Sequence, residues 1–470
     1  MTITVQDTDL VTTGTAFTFA NDFDSLLLTQ GTLLGSVEST GISSSFKDHL
    51  IAQINGDVFA ANDGVHLFGS YNSVLIGAAG SVSSYVAAYG SAVYVDGDNN
   101  TIVNRGSIIS TGTGVSSFGD GVLIENSGEI YGRRNGVRIA LFDSEDGVLI
   151  NTGLISAGRH NFSDVANTGT FHGVTVEGVN TIVVNHGTII AVDAAGAGIN
   201  IGYDFFRGGS GTRVENTGTI TSALFWGIDM SLIANGGASV TNFGLISGGA
   251  GGIRGSAGAD TILNAGTIQG AVLLKAGADS YDGRDGRVFG TIFGGTGNDT
   301  LYGGDRDDSM NGGVDTDTLN GRAGEDLLSG GANQDSLSGG AGNDVLSGNG
   351  GDDFIFGGVG DDTISGGAGR DTMSGGVGND IFLFASATDL GLGLNRDRIT
   401  DYGRGDLIDL SGVQSGMTFI GAEAFSNVAG QIRYSAATGI IALDTDGDSI
   451  ADFQLQLTNL AALTAASFVL

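Results

Sequence analysis

Ten consecutive copies of a nine-residue unit, with no slippage of phase, fill residues 294–383 and constrain the fold more than any other feature of the chain. The clearest read GGTGNDTLY from Gly294, GGAGNDVLS from Gly339, GGVGDDTIS from Gly357 and GGAGRDTMS from Gly366. Aspartate holds the sixth place throughout: Asp299, Asp308, Asp317, Asp326, Asp335, Asp344, Asp353, Asp362, Asp371 and Asp380. Two places on stands an apolar residue, from Leu301, Met310 and Leu319 to Met373 and Phe382. One apolar residue per unit cannot bury a core, so the copies must stack and cover one another. The three residues around it suffice for a short strand, and the glycine-rich run before it supplies the turn. With a turn on each side, two units make one coil, and units two apart bring their aspartates together along an edge.

Stacked carboxylates repel. The segment holds fifteen Asp and one Glu against three Arg, a net charge of −13. Calcium answers this: it is a hard cation that takes roughly six to eight oxygen ligands, from carboxylates and from carbonyls that glycine turns expose. Magnesium demands stricter octahedral geometry and fits less well. A flexible Gly/Asp linker is the bland alternative, but a linker has no reason to keep an apolar residue in phase ten times.

This nonapeptide resembles the RTX (repeats-in-toxin, haemolysin-type calcium-binding repeat) family, whose repeats form a parallel β-roll. The resemblance implies calcium ligation at the aspartates and their glycine turns. The copies that keep all three glycines are Gly294, Gly295 and Gly297 with Asp299; Gly339, Gly340 and Gly342 with Asp344; Gly357, Gly358 and Gly360 with Asp362; Gly366, Gly367 and Gly369 with Asp371; and Gly375, Gly376 and Gly378 with Asp380. Elsewhere Arg306, Asp315 and Asn333 replace the fourth-place glycine, and Arg322 and Asn349 the second. Asn and Asp tolerate left-handed backbone better than Arg, so the sites of Asp308 and Asp326 are expected to be the weaker ones.

Upstream, a longer repeat centred on N-x-G-x-I starts at Asn104, Asn126, Asn151, Asn167, Asn185, Asn216, Asn242 and Asn264, at uneven intervals from 16 to 31 residues. Apolar strands such as TIV and VLI precede it, and GV-x-I strands stand further upstream at Gly121, Gly136 and Gly173. Two or three short strands per coil of variable length describe a parallel β-helix whose uneven intervals are loops inserted at a corner. The asparagine suits an inward-facing turn where stacked amides bond one another. GSAGADTIL from Gly255 and AGADSYDGR from Ala276 already carry parts of the nonapeptide, so no flexible linker is expected between the two solenoids.

The sequence thus predicts an all-β fold: N-terminal capping strands over 1–60, a parallel β-helix over 61–293, the β-roll over 294–383 and a C-terminal β capping domain over 384–470. That last segment, with DRITDYGRGDLIDLSGV from Asp397 and DTDGDSIAD from Asp444, resembles the uncleaved C-terminal secretion domain of serralysin-type proteins, which a type I exporter recognises. Asp444, Asp446, Asp448 and Asp452 read as an acidic turn, with a further calcium site as the alternative. The first twenty residues lack a basic start and an apolar core, so no Sec-type leader is expected. No apolar run is long enough to span a membrane as a helix.

A net charge of −33 argues against nucleic acid as a partner, and the absence of cysteine removes disulfide and thiol chemistry. No HExxH, P-loop or G-x-S-x-G is present, and the five histidines, His49, His66, His160, His172 and His186, stand singly. Trp226 reads as packing rather than as a sugar platform. Around N-x-G-x-I the outward places are bland; Arg105 and Glu129 form the one charged pair, and residues 131–146 offer further charge. These readings describe a calcium-binding protein, secreted or at the cell surface, acting as a surface, matrix or adhesion module and touching polysaccharide. The alternative is a β-helix enzyme on polysaccharide: a lyase, hydrolase or C5-epimerase.

Overall fold

The computed structural model describes residues 2–85, 90–139, 145–158, 171–192, 196–202, 210–233 and 236–470. It divides into two compact units, Met1–Val272 and Leu273–Leu470. Among the described residues every helical element is a short 3-10 turn in the C-terminal part, and no helix is long and apolar enough to cross a membrane.

In the first unit each coil contributes three strands to three parallel sheets. The first sheet runs through Leu123–Asn126, Val148–Asn151 and Ile182–Asn185, the second through Glu129–Gly132, Leu154–Ala157 and Thr188–Ala191, and the third through Thr113–Phe118, Asn135–Ile139 and His172–Val176. Alternation along a strand sends every second side chain inward, and strict parallel register stacks like on like. Ile124, Leu149 and Val183 line the first sheet, Ile130, Ile155 and Ile189 the second, Val115, Val137 and Val174 the third, all fully buried. The winding begins at once: Ile3–Gln6 pairs parallel with Ser25–Leu28, and that strand with Ile51–Ile54. The first sixty residues, expected as capping strands, are therefore coils of the same ladder.

The asparagines close the corner between the first and second sheets. Asn104 donates through Nδ2 to Asn126 Oδ1, and the chain continues to Asn151, Asn185, Asn216, Asn242 and Asn264, each bond 2.8 Å. Asn151 bonds Asn185 directly; the Asn167 copy lies outside the described residues. Of the GV-x-I segments, those at Gly136 and Gly173 enter the third sheet, whereas Gly121 stands in the turn before a first-sheet strand. The expected Arg105–Glu129 pair is not formed among the described residues; Glu129 sits in register with Ser107.

In the second unit the coil shortens to eighteen residues and two sheets. Thr300–Tyr302 pairs with Thr318–Ala323 and then Ser336–Ala341, while Ser309–Val314 pairs with Leu327–Ala332 and then Val345–Gly350. All ten in-phase apolar residues are buried. Beyond the repeats, Asp397–Ile399 and Leu407–Asp409 extend the two sheets, and an antiparallel meander of Gln431–Ser435, Ile440–Asp444 and Phe453–Leu457 caps the winding.

The buried amide ladder yields a test. Asn151 accepts from Asn126 and donates to Asn185 Oδ1, with further contacts to the Gly153 and Thr188 carbonyls. Asn151→Ala should therefore lower unfolding free energy by about 1–3 kcal/mol, whereas the exposed Glu129→Gln should change it by less than about 0.5 kcal/mol. Equilibrium denaturation of both variants checks the difference.

Candidate metal centre

Each nonapeptide turn precedes a strand and presents its aspartate at the corner, where the next coil stacks. One oxygen of every carboxylate is committed to the backbone. Asp299 N–H donates to Asp317 Oδ1 at 2.8 Å, Asp317 to Asp335, Asp335 to Asp353 and Asp353 to Asp371, each across eighteen residues. A second column runs from Asp308 through Asp326, Asp344 and Asp362 to Asp380. Unlike the asparagine amides, these side chains do not bond one another; apart from Asp308, each reaches back to an N–H of the coil before.

The other oxygen has no protein partner. Oδ2 is buried and unbonded in Asp299, Asp317, Asp326, Asp335, Asp344, Asp353, Asp362, Asp371 and Asp380. It packs over the first glycine of its own copy. A β-carbon built on Gly312 would lie 2.7 Å from the Gly330 carbonyl oxygen and closer still to Asp317 Oδ2, and Gly294, Gly339, Gly348 and Gly357 repeat the arrangement. Glycine is required there because carboxylate and carbonyl converge on the space a side chain would fill. At the second and fourth places φ is positive: 115° at Gly295 and 108° at Gly297.

Without a cation, these carboxylates are costly to ionise. Burial pushes Asp317, Asp335 and Asp362 up to about 7, with further pressure from neighbouring carboxylates, against the stabilising N–H bond each accepts. Asp299 and Asp353 are raised to about 6 by the same burial. Buried oxygens without partners, beside carbonyls and with no nitrogen or sulfur donor among them, match the donor set of calcium. When bound, the ion supplies the positive charge that lets the carboxylates stay ionised in the interior.

The substituted turns separate in an instructive way. Arg322 takes the left-handed conformation, φ 75°, as do Asp315, Asn333 and Asn349. Its guanidinium is held by the Gly303 carbonyl at 3.2 Å and by Asp282 at 3.5 Å. Asp326 keeps the geometry of the intact copies, its Oδ2 buried and without a donor. Asp308 departs: its Oδ2 accepts the Gly304 N–H at 2.7 Å and is not left bare.

The acidic turn near the C-terminus is arranged otherwise. Oxygens of Asp444, Asp446 and Asp452 lie within 4.8 Å of one another. Yet Asp444 accepts the N–H groups of Gly447 and Ser449, and Asp452 those of Thr445 N–H and Oγ1.

The third sheet of the first unit carries a polar column through Tyr94, Ser116, Arg138, Thr175, Asn200, Asp229 and Arg254. Arg138 clasps Glu177 with two bonds of 2.9 and 3.1 Å, and Arg254 stands 3.8 Å from Asp229. His172 Nδ1 accepts the Ala197 N–H, and burial pushes this histidine down to about 4, so it is neutral. His66, Phe68, Tyr94 and Phe118 continue the face as touching rings. The signal was the variable position of the G-[VI]-x segments: Arg138 in GVRI, Asp229 in GID and Arg254 in GIR. Of the 131–146 residues singled out from the sequence, Asp143 lies outside the described residues, as does His160. Trp226 is buried, its ring over Gly251.

The RTX calcium-binding nonapeptide repeat family matches this chain in four overlapping places, residues 291–319, 312–346, 329–364 and 347–382. The chain therefore carries RTX repeats, and with its coiled architecture it is a calcium-binding β-solenoid protein. No curated protein matches its sequence. Among solved structures, the AlgE6R3 subunit of the Azotobacter vinelandii mannuronan C5-epimerase, determined in solution, is 28% identical over 34% of this chain and 80% of its own, with a TM-score of 0.15.

Two outcomes follow from the site geometry. Asp326→Ala should lose as much calcium affinity as Asp362→Ala, and Asp308→Ala less, in calorimetric titration. In EGTA, folded-state carboxyl values near 6–7 lie above the unfolded value of 3.8, so the stability they contribute is complete below about pH 4 and is lost as pH rises through 6–7. With calcium the order reverses, because the ligands must be deprotonated. Thermal melts at pH 5 and pH 8, with EGTA and with calcium, should cross.

Proposed function

We propose that this protein is a secreted β-solenoid whose C-terminal unit is folded by extracellular calcium, and that it serves at the cell surface or in a matrix as an adhesion module. The observation that carries this reading is the row of buried aspartate oxygens without protein partners, repeated coil after coil. The ligands are the Oδ2 atoms of Asp299, Asp317, Asp326, Asp335, Asp344, Asp353, Asp362, Asp371 and Asp380, with carbonyls of the glycine turns; Asp308 contributes less. Extracellular modules bind calcium at about 10⁻⁴ to 10⁻³ M, so the repeats stay loose where calcium is scarce and lock where it is abundant. RTX repeats, a serralysin-like C-terminal segment, and a chain without cysteine or proline support export through a type I exporter, since neither disulfide exchange nor X-Pro isomerisation delays refolding.

A second reading has one observation in its favour: the third-sheet face with Arg138, Glu177, His172, Asp229 and Arg254. The partly exposed Arg138 and Arg254, with the rings of His66, Phe68, Tyr94 and Phe118 along the same face, suit contact with an extended polysaccharide, as a ligand of the surface module or as substrate of a lyase, hydrolase or epimerase; Glu177 and Asp229 are buried beneath them.

Circular dichroism of the full chain titrated with calcium from EGTA should show a gain of β signal with a midpoint near 10⁻⁴ to 10⁻³ M; full signal in EGTA would sink calcium-driven folding. Coexpression with a type I exporter should deliver the chain to the medium, a truncation lacking 397–470 should stay in the cells, and one lacking the first thirty residues should still leave.

A further inference from the structure

The aspartate ladder outlasts the nonapeptides. The repeat match ends at residue 382, yet Asp371 N–H donates to Asp397 Oδ1 at 2.8 Å and Asp380 N–H to Asp406 Oδ1 at 3.1 Å, each across 26 residues instead of 18. The two columns end differently. Asp406 uses Oδ2 to accept the Gly403 N–H at 2.7 Å, as Asp308 uses its own on Gly304 at the opposite end of the same column. At both ends of that column, therefore, Oδ2 of the last carboxylate is taken up by a backbone N–H.

Asp397 closes nothing. It is fully buried, and its Oδ2 has no partner, the same condition as the aspartates of the repeats. Asp371, Asp389 and Asp352 press on it with like charge, while of its chain neighbours Arg398 is exposed and Arg396 is held by Gln454 and Gln456. Two of the acidic groups are already occupied: Asp389 accepts the N–H groups of Ala385 and Ser386, and Asp352 pairs with Arg370 at 3.1 Å. A buried carboxylate oxygen without a donor and pressed by like charges calls for a cation.

We propose that Asp397 is a calcium ligand that shares an ion with Asp371, so that metal binding reaches one coil past the last nonapeptide into the C-terminal segment. The inference rests on calcium being the ion of the repeats. Its consequence is mechanical. Asp397–Ile399 pairs in parallel with the Thr372–Met373 stretch on one side and with Leu455–Leu457 on the other. An ion at Asp397 therefore fastens the strand to which the antiparallel meander is attached, and calcium governs the order of the C-terminal segment as well as of the repeats.

The test uses the full chain and calcium alone. Asp397→Asn keeps an acceptor for the Asp371 N–H and removes the charge; Asp406→Asn is the control, since both its oxygens already have donors. Calorimetry should find one ion fewer in Asp397→Asn and the wild-type number in Asp406→Asn. Hydrogen exchange should show residues 397–399 and 453–457 of Asp397→Asn needing several-fold more calcium for protection, with residues 299–353 unchanged. An unaltered stoichiometry and midpoint in Asp397→Asn overturns the proposal. So does full protection of 397–399 in wild type in EGTA, a measurement that needs no variant to fold. If the wild type takes up no calcium at all, the calcium reading of the whole ladder fails; if it does and Asp397→Asn matches it, only the extension fails.

Discussion

A backbone N–H at each corner of the second unit points at the following coil and is met there by an aspartate oxygen. The remaining features of the unit descend from that bond. It brings the carboxylate into the interior, because only a side chain turned inward reaches the N–H behind it. It fixes the other oxygen beside the glycine turn, where a side chain would collide with it. It also leaves that oxygen without a donor, so the interior holds charge that protein alone does not neutralise. Glycine content, aspartate phase and metal dependence are three aspects of one corner.

The first unit solves the same corner problem without charge. Its asparagines carry donor and acceptor together, so each amide satisfies the next and the ladder is neutral. Such a column needs no cofactor and tolerates coils of 22 to 34 residues, since only the corner has to stay in register. The aspartate column holds a spacing of eighteen through the repeats and stretches to 26 at its end. Amide and carboxylate differ by one group, and that difference separates a corner whose polar groups are paired from one that leaves an oxygen free for an ion.

Strict periodicity made the second unit readable in advance. Aspartate at every ninth residue and one apolar position in phase leave a two-unit coil as the packing that buries both, and the eighteen-residue bonds follow. In the first unit the asparagine column was readable for the same reason. The third sheet was less so: its segments share only a glycine in a chain of 85 glycines, and Gly121 imitates them while standing in the turn before a first-sheet strand. Arg322 was misjudged since propensity counts against Arg in left-handed backbone, while Asp282 and the Gly303 carbonyl hold its side chain there. Asp397 and Asp406 escaped notice because their spacing is 26, with no repeat to mark them.

The corner bond has a direction. Every N–H in the column is completed by an aspartate that lies later in the chain, so a coil is never finished by its own residues or by those before it. A solenoid built from its first residue onward carries an open donor at its growing edge until the next coil arrives. Built from its last residue backward, each new coil finds the acceptor already in place. The ladder is thus polar in time as well as in space, and the end made last is the end from which it can close without a gap.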